Sequence, residues 1–115
     1  MTDKVKADFQ WWYSKQRPEL GTWFALINFY NFPPSMQWGV LVDYFRELNI
    51  IIDIHPVLKY DTKSYTEVTE YLVYVRELNK PVEIDDDPIE CTTEKEAREK
   101  AIEKASEIRD EQLKQ

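Results

Sequence analysis

Glycine, cysteine and histidine are nearly missing from this sequence, and each shortage closes off a class of chemistry. Its 115 residues hold only two glycines, Gly21 and Gly39. A glycine-rich loop that cradles phosphate therefore cannot be built, which excludes Rossmann and P-loop nucleotide sites. The single cysteine, Cys91, rules out an internal disulfide and a cysteine-based zinc site. The single histidine, His55, makes a histidine-rich metal site equally impossible. No apolar run approaches the roughly 18 residues of a membrane span, and no signal-peptide core follows Met1. These absences lead to the expectation of a cytoplasmic protein in a reducing compartment, with no membrane partner and no cofactor.

What is present is enough apolar material for one core. Hydrophobic residues make up 43% of the chain and aromatics 14%, and the length suits one domain. The net charge is −7, and it is unevenly spread. Residues 1–48 carry five bases and five acids, whereas residues 83–115 carry twelve acids and six bases, or −6 of the total. Such an acidic end repels phosphates, so direct nucleic-acid binding is not expected, and it favours a partner with a basic surface.

Thr2 is placed to cap a first helix over residues 3–16, in which Val5, Phe9 and Trp12 form one stripe at i, i+4 and i+7. Pro18 and Gly21 close that unit. Residues 22–32 (TWFALINFYNF) are rich in β-favouring types and lack a polar helical face, which tilts the reading towards a buried strand, with a short helix as the alternative. Pro33-Pro34-Ser35 reads as a turn with Ser35 as the N-cap of a helix over residues 36–48, whose Trp38, Leu41, Val42, Phe45 and Leu48 face a core. Asn49 ends it. A strand follows at once, with Ile50, Ile52 and Ile54 on one face and Ile51, Asp53 and His55 on the other. Pro56 is expected either to end the regular pairing or to place the strand near a sheet edge, and residues 59–66 to form a polar loop. A second strand is expected over 68–76, a turn at Asn79-Lys80-Pro81, and a third strand between Val82 and Cys91. Thr93 and Glu96 match a capping box for a last helix, with Ala97, Ala101, Ile102, Ala105 and Ile108 as its narrow apolar stripe. Residues 1–110 are read as one domain and 111–115 as a frayed tail. The predicted class is α+β in two layers: a three-stranded antiparallel meander with helices mainly on one face.

The run WGVLVDYFREL, then NIIIDI, a tyrosine-rich strand and TTEKEAREKAIEKASEI resembles a group of small proteins of gut anaerobic bacteria and their phages. The likeness covers about residues 36–108. It implies the same helix, meander and final helix, and a mobile-element origin. The group has no assigned activity, so the resemblance implies no site residue.

Few residues suggest chemistry. Asp53 and His55 would project together from one strand face, where a carboxylate can orient an imidazole, but no third group is linked to them. Asp85-Asp86-Asp87, with Glu83 and Glu90 nearby, lacks the ligand spacing and glycine of a calcium loop and reads as a solvated acidic turn. Cys91 precedes a helix N-terminus but has no partner base. The catalytic, cofactor and metal sets are therefore empty. Trp11 differs. It points about 100° away from Trp12, onto the side of its helix that carries Lys4, Asp8 and Lys15. Trp11 and Lys15 are the candidate interface. The leading expectation is a non-enzymatic protein-binding module, in one version an acidic inhibitor. Its rivals are a ligand-binding domain or enzyme with a pocket between helices and sheet, and a homo-oligomeric structural subunit.

Overall fold

The computed structural model describes residues 1–16, 18–63, 65–80 and 88–114, apart from the side chains of residues 20–25 and 68. The helices are α1 (Asp3–Gln16), α2 (Gly21–Tyr30), α3 (Pro34–Glu47) and α4 (Glu94–Leu113). A single 3-10 turn, Pro18–Leu20, leads into α2. The strands are β1 (Ile50–Asp61), β2 (Thr66–Glu77) and β3 (Ile89–Cys91), in the antiparallel order β1-β2-β3. The class is the two-layer α+β meander that the residue pattern predicts. Helices α3 and α4 lie on one face of the sheet, α1 packs across both of them, and α2 packs on α1.

The strand reading of residues 22–32 is overturned, because the segment is helical from Gly21 to Tyr30. β-propensity describes fit to a pleated surface, and the surroundings here offer a helical one. Phe29 is buried with its ring edge-on to Phe9 and Tyr13, and the Tyr13 hydroxyl donates to Asn28 Oδ1 at 3.0 Å. The predicted Ser35 cap is also replaced. Helix α3 starts at Pro34, after Pro33, with no side-chain cap. Proline at the first helical position has its φ already set and gives up an N–H that has no intrahelical partner. The corner is held instead by Gln37, whose amide donates to the carbonyls of Tyr30 and Phe32 at 3.3 and 2.9 Å.

Strand β1 does not stop at Pro56 but continues to Asp61, and β2 begins at Thr66, so the expected loop shrinks to a tight turn. Pro56 is tolerated because β1 is an edge strand, where a missing N–H need not break the ladder. The register pairs Ile50 with Glu77 and Asp61 with Thr66. Of the third strand, Ile89–Cys91 is seen paired with Tyr71–Val73, while residues 81–87, including Asp85-Asp86-Asp87, lie outside the described residues. Asn49 and Asn79 take the left-handed conformation (φ 63° and 71°) that asparagine tolerates well, at the two chain reversals flanking the base of the hairpin.

The N-cap of α1 is as expected, with the Val5 amide donating to Thr2 Oγ1 at 3.3 Å. Thr93 caps α4 by accepting from the Glu96 amide at 3.1 Å. The reciprocal half of the box shifts by one residue, because Glu96 receives the amide and hydroxyl of Thr92. Helix α4 also passes Asp110, where fraying was expected, and runs to Leu113. Gln112 explains the extension. Its amide donates to the Leu48 carbonyl at 3.1 Å and to Glu77 at 2.8 Å, tying the helix end to α3 and β2.

The α3 face (Trp38, Leu41, Phe45) forms only partly one unit with Ile52, Val73 and Ile102. Phe45 and Val73 are fully buried but belong to two clusters, which meet at Ile52 and Val75. Trp38, Leu41 and Ile102 are half-buried. The larger cluster centres on Phe9, Tyr44 and Phe45, with Tyr44 ringed by Phe9, Trp12 and Phe45. The buried Tyr44 hydroxyl donates to Asp8, and Arg109 Nε donates to the same carboxylate oxygen at 3.0 Å. Burial alone would raise the Asp8 pKa. Hydrogen bonds from Arg109 and Tyr44 and the Arg109 charge outweigh that and hold it below 3.8.

Three outcomes test this packing. Phe45→Ala should cost about 3–5 kcal/mol in denaturant unfolding, since it empties a fully enclosed site. Thr93→Ala should cost about 1 kcal/mol through loss of the cap acceptor. Because the folded pKa of Asp8 is depressed, its contribution is present above the unfolded value and lost as pH falls through the folded one. The stability gap between the wild type and Asp8→Asn should therefore be constant above about pH 5 and close at lower pH. A gap that widens on acidification would reverse the sign of the assignment.

Candidate protein interface

Strand alternation divides the sheet into two faces with different fates. The inner series Ile50, Ile52, Ile54, Pro56, Leu58 and Tyr60 is apolar without a break, while the outer series alternates Ile51, Asp53, His55, Val57, Lys59 and Asp61. Helices cover the inner face only near its base. Beyond Ile54 the hairpin projects as an arm on which Leu58 is 69% and Tyr60 61% exposed. The molecule measures 55 × 34 × 19 Å, and its radius of gyration is 16.6 Å, against about 13 Å for a compact chain of this length.

On the outer face His55 and Asp53 are joined at 2.9 Å, as their spacing predicts, and the edge of the His55 ring meets Tyr74. Both are more than half exposed, in a shallow hollow of about 490 Å³ shared with Ile51, Arg76 and Leu78. The pair can pass a proton, and among the described residues no serine, threonine or cysteine lines this hollow. Ser14 is buried on α1, where its hydroxyl donates to the Trp11 carbonyl, and Ser35 opens α3. Cys91 is buried on the helix side with Val73, and burial followed by the charge of Glu96 pushes its thiol pKa up, against activation. Among the described residues no group of three or more metal-ligating side chains is assembled.

Trp11 is 61% exposed, with Lys15 Nζ 4.6 Å from the centroid of its ring. Trp12 turns inward, half-buried against Phe9 and Tyr44, and its indole N–H donates to Glu47. The two tryptophans thus part as the helix angle requires, and Trp11 stays exposed.

A further recess was not singled out by sequence reasoning, which assigned Trp38 to the core. Pro34, Gln37, Trp38 and Leu41 stand at i, i+3, i+4 and i+7 on α3 and form one wall of a groove of about 980 Å³. Glu94, Arg98, Ile102 and Glu103 on α4 form the other, with Met1 at one end. The Arg98 guanidinium lies 5.5 Å from the Trp38 ring centroid and donates to Glu94 at 2.7 Å. A second hollow of about 450 Å³ shares Trp38, Glu94 and Arg98, and it continues beneath the arm to Ile54, Pro56 and Tyr71. The available signal was the apolar arc of α3, which is wider than one sheet and one neighbouring helix can cover.

No protein-family model, no curated protein and no solved structure matches this chain. No helix among the described residues is long and apolar enough to cross a membrane. Trp11→Ala should leave unfolding free energy within about 0.5 kcal/mol of the wild type, as for an exposed residue. A loss above about 2 kcal/mol in the same denaturant titration would move Trp11 into the core.

Proposed function

We propose that this chain is a non-enzymatic protein-binding module whose binding surface is the groove around Trp38. The observation that carries this reading is an open, largely apolar recess built around a tryptophan between two helices that are locked together elsewhere. Tryptophan in a partly desolvated, rigid setting is the residue type that most often anchors a protein interface. Trp11 and Lys15 add a second exposed contact point on α1. The acidity of the chain fits an inhibitor that occupies a basic surface, and the single thiol fits a cytoplasmic setting. Affinity purification of the tagged chain from its native host tests the reading. A protein retained by the wild type and lost with Trp38→Ala, at unchanged melting temperature, supports it. Retention independent of Trp38 contradicts the site.

A second reading rests on the arm. A two-stranded ribbon with an apolar face is marginal in water by itself, and Leu58 and Tyr60 are mostly exposed. A homo-oligomer that covers these faces would resolve this. Light scattering after size exclusion decides it: a mass that rises with concentration, and falls back in Leu58→Lys/Tyr60→Lys, supports self-association.

A further inference from the structure

We infer that two copies of this chain pack their arms inner face to inner face about a two-fold axis, with Tyr60 of each copy entering the hollow beside Trp38 of the other. This rests on the self-association reading above and names the surface and the geometry of the contact.

The register sets Ile54, Pro56, Leu58 and Tyr60 of β1 beside Val73, Tyr71, Thr69 and Glu67 of β2 on one face. Glu67 is the only charged side chain among these eight. Beyond Ile54 the arm extends about 23 Å, which is residues 55–61 at about 3.3 Å each. Its outer part carries the projecting Leu58 and Tyr60, and its root carries the hollow of about 450 Å³ lined by Trp38, Ile54, Pro56 and Tyr71. Projection and hollow lie on the same face of the same strand. A two-fold axis crossing β1 at Val57–Leu58 therefore lays Tyr60 of each copy over the Ile54–Pro56 stretch of the other, and both contacts form at once. Packed sheets stand about 10 Å apart, so the incoming arm enters the layer that α3 and α4 occupy at the base and continues it.

Charge permits the contact although each copy carries −7. Helix α4 begins beside the hollow, where Glu94 is paired with Arg98. Its far end is tied by Gln112 to Leu48 and Glu77 at the base of the hairpin. The later glutamates of α4 thus lead away from the axis and end at opposite poles of the dimer. The Asp53–His55 and Lys59–Glu70 pairs stay in water on the outer faces. A partner with a charged surface meets only Glu67 on the arm, whereas a second copy matches the apolar face with its own. Edge-to-edge pairing of β1 is disfavoured by Pro56, since proline blunts a sheet edge.

Three measurements test this. In sedimentation equilibrium the wild type should pass from 13.8 kDa to twice that mass as concentration rises. Leu58→Cys on the inner face and Val57→Cys on the outer face, each in a Cys91→Ala background, are then oxidised at a concentration where the wild type is dimeric. Leu58→Cys should form a disulfide-linked dimer at least tenfold faster than Val57→Cys. On dilution the Trp38 indole N–H resonance should shift while that of Trp11 stays in place. Comparable crosslinking at the two positions would show edge-to-edge pairing, and a Trp38 signal that ignores dilution would show that Tyr60 does not enter the hollow. Either result overturns the inference and leaves the self-association reading standing. A mass of 13.8 kDa at every concentration overturns both.

Discussion

One carboxylate oxygen organises the helical layer. Asp8 on α1 accepts from Tyr44 on α3 and from Arg109 on α4, so three helices far apart in sequence meet at a single acceptor. The Asp8 and Arg109 side chains are mostly shielded, at 26% and 18% exposure, and Tyr44 is fully enclosed. A buried hydroxyl without a partner is costly, and a shielded charge without its counter-ion costs more. Each member therefore needs the other two. The lock lies near the C-terminal ends of α3 and α4, while Trp38 and Glu94, nearer their N-terminal ends, line an open recess. Gln112 reinforces the closed end through Leu48 and Glu77.

Covering one face of the sheet only near its base leaves two surfaces exposed among the described residues. The outer face is polar enough for water, with the Asp53–His55 and Lys59–Glu70 pairs spaced among aliphatic residues, and it needs no partner. The inner face of the arm keeps the apolar pattern of a core after the helices end. Function is therefore sought on the helix side of the molecule, where Trp38, Pro56 and Tyr71 connect the groove with the arm.

The elements with strong local signals were legible from sequence: the Thr93 cap, the Ile50-Ile52-Ile54 alternation, and the divergence of Trp11 and Trp12. What was hidden is tertiary. Residues 22–32 carry strand-favouring side chains, but Phe29 is claimed by Phe9 and Tyr13, which no local pattern reveals. Pro56 left two readings open, a strand end or a sheet edge, because only topology shows that β1 lies at the edge. The role of Tyr44 was equally hidden, since its acceptor Asp8 lies 36 residues from it in sequence and Arg109, which shares that acceptor, lies 101 residues from Asp8. The groove was invisible for the same reason: Trp38 has the spacing of a core residue, and only the tertiary arrangement of α3 and α4 leaves it half-buried at a recess.

The lock itself is open to a direct measurement, a double-mutant cycle of Asp8→Asn and Arg109→Gln in denaturant unfolding at neutral pH. A shared, shielded contact predicts a coupling of about 1–3 kcal/mol, because the first substitution already removes what the second would break. Effects that add within about 0.5 kcal/mol would show that the two side chains act independently and that the helical layer is held by apolar packing alone.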